Sequence, residues 1–195
     1  QAGALAGAVE VVLFAGGYAG LQPVEGGRAT LCLLAHRDRL ARLGGGWPAL
    51  LDDLCAESPH LHARLAGAVP LLARPLSIAR VPYGFLHAPR PRETVFRLGD
   101  QACVIPSFAG DGMAIALHSA ALAAASHLAG HAPQHYHRRL RHDVAGPMRR
   151  AAALYRLGRG AAGQALLFQV LHLWPGLLGR LAAATRIAAP GWVRD

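Results

Sequence analysis

The sequence predicts a mixed chain of the α/β class, α+β in the 195 residues present. Three observations indicate this class. The N-terminal part holds short segments of apolar and β-branched residues separated by glycine turns. In the middle of the chain, a short strand and a Gly-Asp pair precede a helix made mostly of small residues. The remaining C-terminal part is helical and rich in arginine. Strands that come first and helices that follow are typical of α+β architecture.

Three strands are expected within residues 8–36. The segments AVEVVLF (8–14), GGYAGLQPV (16–24) and RATLCLLAH (28–36) have the composition of strands and are separated by glycines. The turn at Glu25–Gly27 favours a hairpin between the second and third segments.

Short helices are expected next, in DRLARLG, WPALLDDLCAES and SPHLHARLAGA. Trp47 before Pro48 predicts a helix start, because proline is tolerated in the first turn. A proline-rich connection follows from Pro70 to Pro91, and its LSIARVPYGFLH stretch could include one strand. Thr94 to Asp100 is predicted to be a strand that ends in a turn.

The strongest predicted helix covers residues 111–130, with Asp111 as its cap and Gly130 at its end. The next helical region, from Gln134 onwards, is expected to break or kink at Gly146–Pro147. The apolar tract Ala161–Ala184 is interrupted by a histidine, a proline and an arginine, and it is predicted to be a buried or interfacial helix and not a membrane span.

The composition indicates a folded chain, since 53% of residues are hydrophobic and 16% are charged. All of the positive charge comes from arginine, and none lies between Arg97 and Arg138. Residues 138–195 carry ten arginines and two aspartates. This basic segment fits a solvated helical face, or a surface that meets acidic lipids, phosphates or an acidic partner. Of these partners, we expect a membrane surface that the chain contacts peripherally, and no nucleic-acid partner is predicted.

The cysteines indicate neither a disulfide framework nor a zinc site, because there are three, widely spaced, with no CxxC pair. The N-terminal residues lack the basic region of a signal peptide. Both features predict a cytoplasmic protein.

The stretch GDQACVIPSFAGDGMAIALHSA contains the candidate ligand-binding residues of the sequence. Gly99 allows a tight turn after the predicted strand, and Asp100 then offers a carboxylate that can accept hydrogen bonds from sugar-like hydroxyls. Pro106 stiffens the connection. Gly110 and Gly112 leave backbone amides uncovered at the start of the helix, where the helix dipole attracts negative charge.

This stretch resembles the second flavin-binding motif of FAD-dependent oxidoreductases of the geranylgeranyl reductase and para-hydroxybenzoate hydroxylase-like group. The positions in register are Gly99, Asp100, Ala102, Gly110, Gly112, Met113, Ala116 and Ser119. The segment GGYAGLQPVEGGRATLCLL is similar to a strand hairpin of the family's substrate domain, so the resemblance covers roughly Phe14 to Ala125.

The resemblance implies a doubly wound FAD-binding domain, a remnant of a β-sheet substrate domain and C-terminal helices. It implies that Asp100 binds the ribitol hydroxyls of FAD, and that the backbone at Gly112 and Met113 faces the N1–C2=O edge of the isoalloxazine ring; Gly99, Pro106 and Gly110 complete the cofactor-binding set. The implied activity is that of a monooxygenase or a reductase/dehydrogenase of a small organic or isoprenoid-like substrate, with NAD(P)H or another electron donor. No residue is assigned as a catalytic acid or base.

The sequence departs from this family in lacking a strand followed by G-x-G-x-x-G, which holds the pyrophosphate of the cofactor. Gln101 and Ala120 replace a common alanine and glycine. We therefore expect a C-terminal fragment that binds FAD poorly and is inactive alone. Its expected divisions are a substrate-domain remainder (1–90), part of the FAD-binding domain (91–130) and a helical region (131–195).

Two alternatives come from other classes of protein. One is a non-catalytic basic helical module that docks on a membrane surface or an acidic partner. The other is a metal site at His127, His131 and His135, which are spaced by four residues. Pro133 would interrupt the shared helical face, and no carboxylate or cysteine completes the set, so no metal is predicted.

Overall fold

The computed structural model describes residues 7–187, which form two compact units. Unit 1 comprises residues up to 78 together with 158–165, and unit 2 comprises 79–157 and the residues from 166 onwards. Helices and one small antiparallel sheet make up the described chain, so the α+β class is confirmed at that level. The division at residues 90 and 130 and the doubly wound FAD-binding domain stay predictions.

The sheet of unit 1 is an antiparallel meander of three strands, β1 (Glu10–Phe14), β2 (Gly17–Val24) and β3 (Arg28–Ala35). These are the three strands expected from the sequence. Gly17 lies where strands approach closely: a Cβ at this position would lie 1.9 Å from the Leu34 carbonyl oxygen, so no other residue fits. The turns on either side of β2 contain glycines with positive φ, such as Gly16 at 80°.

Three helices follow the sheet in unit 1: α1 (Arg37–Arg42), α2 (Trp47–Glu57) and α3 (Pro59–Leu65). Residues 158–165, which include the start of a later helix, also belong to this unit. Pro48 lies in the first turn of α2, and the Ser58 hydroxyl accepts a hydrogen bond from the Leu61 amide at the start of α3. Their apolar faces cover one face of the sheet. The buried core consists of Phe14, Ala19, Leu21, Leu50, Leu54 and Leu61.

A buried arginine links β1 to α1 and α2. The Arg39 side chain is 8% exposed and forms ion pairs with Asp53 and with Glu57, the latter at 2.6 Å. It also donates to the Ala15 carbonyl oxygen and lies 5.1 Å from the centre of the Phe14 ring. Each of its three guanidinium nitrogens therefore has an acceptor, as a buried charge requires.

Replacing Arg39 with alanine is expected to lower the free energy of unfolding by about 2 kcal/mol. The loss leaves two carboxylates facing one another, but water reaches both, since each is 38% exposed. Urea unfolding followed by circular dichroism measures the change. Arg42→Ala, an exposed position on the same helix, is the matched control and should change stability by no more than about 0.5 kcal/mol. Equal effects of the two substitutions would contradict this prediction.

Unit 2 is built on two long helices, α4 (Gly112–Leu128) and α5 (Pro133–Gly158). The chain continues through α6 (Ala161–Leu173) and α7 (Gly176–Thr185). Buried residues of α5 pack with Ile115 and Ala123 of α4 and with the segment 102–105. The buried core consists of Ala102, Cys103, Ile105, Ile115, Ala123, Tyr136, Leu140, Val144, Met148 and Ala151.

Three sequence expectations for unit 2 are wrong. Thr94 to Asp100 is not a strand, and residues 94–98 pair with no strand in the described chain. The Asp111 side chain forms no capping hydrogen bond, although α4 starts after it and ends before Gly130, as expected. Helix α5 continues through Gly146–Pro147, so the expected break is absent, whereas a kink at this point stays a prediction; Pro147, Val144 and Met148 are buried, and packing maintains the helix.

Helices α6 and α7 meet at Trp174–Pro175 with a bend of 119°. No single described helix has both the length and the apolar composition needed to cross a membrane, whereas α6 and α7 taken together pass that test. Of the residues of α6, none is buried, and Thr185 is the buried residue of α7.

Candidate functional site

The Gly99–Asp100 pair lies against helix α4. Gly99 opens a turn of 3₁₀ helix (Gly99–Gln101) with φ of 51°, and its amide donates to the Ser119 hydroxyl at 2.9 Å. A Cβ at Gly99 would lie 3.5 Å from the Ala116 Cβ. Ser119 in turn donates to the Ala116 carbonyl oxygen. The positive φ favours glycine, and the small residues of α4 allow the turn to approach the helix.

The turn presents Asp100 to solvent. Its carboxylate is exposed, and within residues 7–187 it forms no hydrogen bond or salt bridge. The residues that follow it turn inward, since Ala102, Cys103 and Val104 are buried. A short antiparallel contact joins them to the segment 84–87, where the Gly84 amide donates to the Val104 carbonyl oxygen at 2.8 Å. The carboxylate thus stands on a fixed backbone with its acceptor capacity unused.

The loop before α4 ends in uncovered backbone. Pro106 is fully buried and anchors the loop, and Gly110 has φ of 74°, a left-handed conformation that favours glycine. Among residues 7–187, no atom outside the neighbouring residues and the backbone of α4 lies within 4 Å of the position that a Cβ would occupy on Gly112. Met113 is 80% exposed. Gly112 and Met113 therefore lie at the surface of the described structure.

Asp111 lies at the same helix start but is 7% exposed, and its Oδ2 atom is buried without a hydrogen-bond partner. Burial raises the pKa of the Asp111 carboxyl, and the positive charge of Arg186 opposes this rise.

Aromatic residues surround the loop. The Phe108 ring stacks on Tyr155 with 6.4 Å between centres, and Tyr83 meets Tyr155 edge to face at 5.6 Å. The Tyr83 hydroxyl is hydrogen-bonded to the Ser107 hydroxyl. Tyr83 thus lies beside the loop.

Sequence reasoning missed a second polar group in unit 2. His87, Glu93 and His137 lie together, although 50 residues separate the first from the last. Within the described residues, these three side chains place one potential metal ligand each within 4.8 Å of the other two. The histidines at 127, 131 and 135 form no such group with a carboxylate in this part of the chain. The spacing of these residues in the sequence does not predict the group, because His87 and Glu93 lie in an irregular segment and His137 lies on a distant helix.

The site thus offers an exposed carboxylate on a glycine turn, an accessible helix N-terminus and a nearby aromatic group. These parts can bind hydroxyl groups, stabilise negative charge and pack against a flat ring. No protein-family model, no curated protein and no solved structure matches the chain, so the class of protein rests on this geometry.

Proposed function

We propose that this chain provides the ribityl-facing and ring-facing half of the FAD site of an FAD-dependent oxidoreductase. The observation that supports this most directly is the docking of Gly99 on Ser119 of the helix that starts at Gly112. Helix α4 therefore carries both parts of the site. From Gly112 to Ser119 the helix rises by about 10 Å. A flavin carries its hydroxyls on a five-carbon chain beside its ring, so one ligand can meet both.

The residues fit this cofactor at each end. Asp100 is an unpaired acceptor in solvent, suited to the hydroxyls of a sugar alcohol. The open space at Gly112 leaves room for a flat ring, and the amides of α4 place a positive partial charge at its electron-rich edge, worth about 0.3–1 kcal/mol or more when partly buried.

The bound cofactor would accept a hydride from a reduced nicotinamide or another donor and deliver electrons to oxygen or to a substrate double bond. This chain's residues bind and orient it. The aromatic group of Tyr83, Phe108 and Tyr155 provides an apolar wall for a small organic or isoprenoid-like substrate. Monooxygenase and reductase or dehydrogenase activity are both compatible with this arrangement, which contains no assigned acid or base.

The test is to express the full open reading frame that encodes this chain and to measure flavin. We expect a yellow protein that releases FAD on denaturation, and a strand followed by G-x-G-x-x-G elsewhere in that reading frame. A colourless protein that neither retains nor rebinds FAD would overturn the proposal.

A second candidate function is docking on an anionic membrane, and a specific observation favours it. Phe168, Leu173, Trp174 and Leu178 are each more than half exposed on α6, α7 and their connection. They lie within the segment that carries ten arginines, so apolar and cationic groups occur together, as in interfacial helices. This arrangement also fits a flavoenzyme that acts at a membrane surface in the cytoplasm.

Vesicle sedimentation tests the docking candidate. Docking predicts binding to vesicles containing phosphatidylserine that weakens with salt and is lost in Trp174→Asp, with no flavin required. Leu76→Asp is the matched control, because Leu76 is also exposed, at 92%, but lies outside the helix pair. Equal binding of neutral and anionic vesicles, or equal loss in both variants, would exclude docking through α6 and α7.

A further inference from the structure

Three side chains that bind transition metals in other proteins converge in unit 2. One ligand atom from each of His87, Glu93 and His137 lies within 4.8 Å of the other two. The His87 and Glu93 side chains are 12% and 6% exposed, and His137 is 2% exposed. The two imidazole rings lie 4.6 Å apart between centres, with their planes tilted by 59°. Such a group is sheltered from water and made of two nitrogen donors and one carboxylate oxygen.

Hydrogen bonds already orient these donors. The His87 Nε2 atom and the Glu93 Oε2 atom are 2.8 Å apart. The His137 Nε2 atom lies 3.0 Å from the Val95 carbonyl oxygen, and the Arg97 backbone amide donates to it at 3.4 Å. These contacts hold the His137 ring in one orientation, as outer-shell hydrogen bonds do for metal-ligating histidines. Arg97 lies 3.9 Å from the other oxygen of Glu93, so Oε2 is the oxygen available to a metal ion.

We propose that His87, Glu93 and His137 form a binding site for a divalent transition-metal ion, with Zn²⁺ the best match. Two histidines and one glutamate are an established three-ligand zinc set that leaves the fourth tetrahedral position for water. Metal–ligand bonds of about 2.0–2.1 Å place tetrahedral donors roughly 3.3 Å apart. The 2.8 Å contact between His87 and Glu93 therefore needs to widen only slightly when a metal ion replaces the shared proton.

The ion would join the irregular segment 87–97 to helix α5. His137 lies on α5, while His87 and Glu93 lie on a segment that pairs with no strand beyond the bridge at Leu86. The segment leads directly into Gly99. A bound ion would thus stabilise the backbone that positions the Gly99–Asp100 turn, and the proposal does not depend on flavin binding.

The experiment titrates Zn²⁺ into the metal-free full chain in competition with a chromogenic zinc chelator, and repeats the titration with Mg²⁺. We expect one tight equivalent of Zn²⁺, a rise in melting temperature with Zn²⁺ and none with Mg²⁺. Glu93→Gln retains an oxygen that can accept from His87, so it preserves the fold. It and His87→Gln should each weaken Zn²⁺ binding by at least about 10–100-fold, the loss observed when outer-shell partners alone are removed.

His131→Gln is the matched control. Its imidazole is exposed and lies 4.3 Å from the ring of His135, so it also offers a histidine pair but no carboxylate. The control should bind Zn²⁺ like the parent chain. The proposal is overturned if Zn²⁺ does not compete with the chelator, if Glu93→Gln and His87→Gln both retain parental affinity, or if His131→Gln alone loses it. Co²⁺ absorption with the intensity of a tetrahedral complex in the parent chain, absent in Glu93→Gln, supports it independently of stability.

Discussion

Truncation of Tyr136 to alanine is expected to lower the free energy of unfolding of unit 2 by about 3–5 kcal/mol. Tyr136 is among the largest fully buried side chains, and its ring packs 5.4 Å from that of Phe96. Removing it creates a cavity between α5 and the segment that enters Gly99. The structure around such a cavity relaxes only in part, so the lost contacts are not recovered. Urea unfolding followed by circular dichroism measures the loss.

Tyr136→Phe isolates the contribution of the hydroxyl group. That hydroxyl donates to the Arg97 carbonyl oxygen at 2.7 Å, and the buried carbonyl loses its donor in the variant. We expect a smaller destabilisation, about 1–2 kcal/mol, since one buried acceptor is left unsatisfied while the ring stays in place. If Phe and Ala destabilise the protein equally, the ring contributes nothing beyond its hydroxyl and this account of the core is wrong.

The sheet could be predicted from the sequence because its signals are local. Each strand has the composition of a strand within one short segment, and the glycine turns that join β1 to β2 and β2 to β3 are adjacent to them in the chain. The start of α4 after Asp111 and its end before Gly130 were likewise set by neighbouring residues. Local chemistry therefore determined these elements.

What could not be predicted depends on distant partners. Residues 94–98 have the composition of a strand, yet the groups that satisfy their backbone come from α5: Tyr136 donates to Arg97, and His137 bonds to Val95. A strand needs a neighbouring strand, and side chains of a helix occupy that place here. The same long-range packing buries Asp111 without a capping bond and assembles the group of His87, Glu93 and His137.

The candidate flavin site lies between these cases. The turn at Gly99, the left-handed Gly110 and the open position at Gly112 follow from residue types that the sequence displays. The hydrogen bond that joins Gly99 to Ser119 does not, because it connects residues 20 positions apart. The parts of the site were therefore predictable, while their attachment to one helix required the structure.

Asp100→Ala should weaken FAD binding by about 10–100-fold in the protein expressed from its full open reading frame. A hydrogen bond to a charged group contributes roughly 1.5–3 kcal/mol, and this carboxylate is proposed to accept bonds from ribityl hydroxyls. The substitution should leave the melting temperature of the flavin-free protein unchanged, because Asp100 is exposed and has no hydrogen-bond partner in residues 7–187. Quenching of flavin fluorescence on binding gives the affinity.

The controls distinguish a lost contact from a lost charge. Asp100→Asn keeps one acceptor oxygen at the same place and should fall between the parent and the alanine variant. Asp52→Ala removes an equally exposed carboxylate in unit 1 and should not change affinity. If Asp100→Ala and Asp52→Ala weaken FAD binding alike, net charge and not a contact at Asp100 sets the affinity. If neither changes it, the ribityl chain lies elsewhere, and the turn on α4 is a structural feature without a part in binding the cofactor.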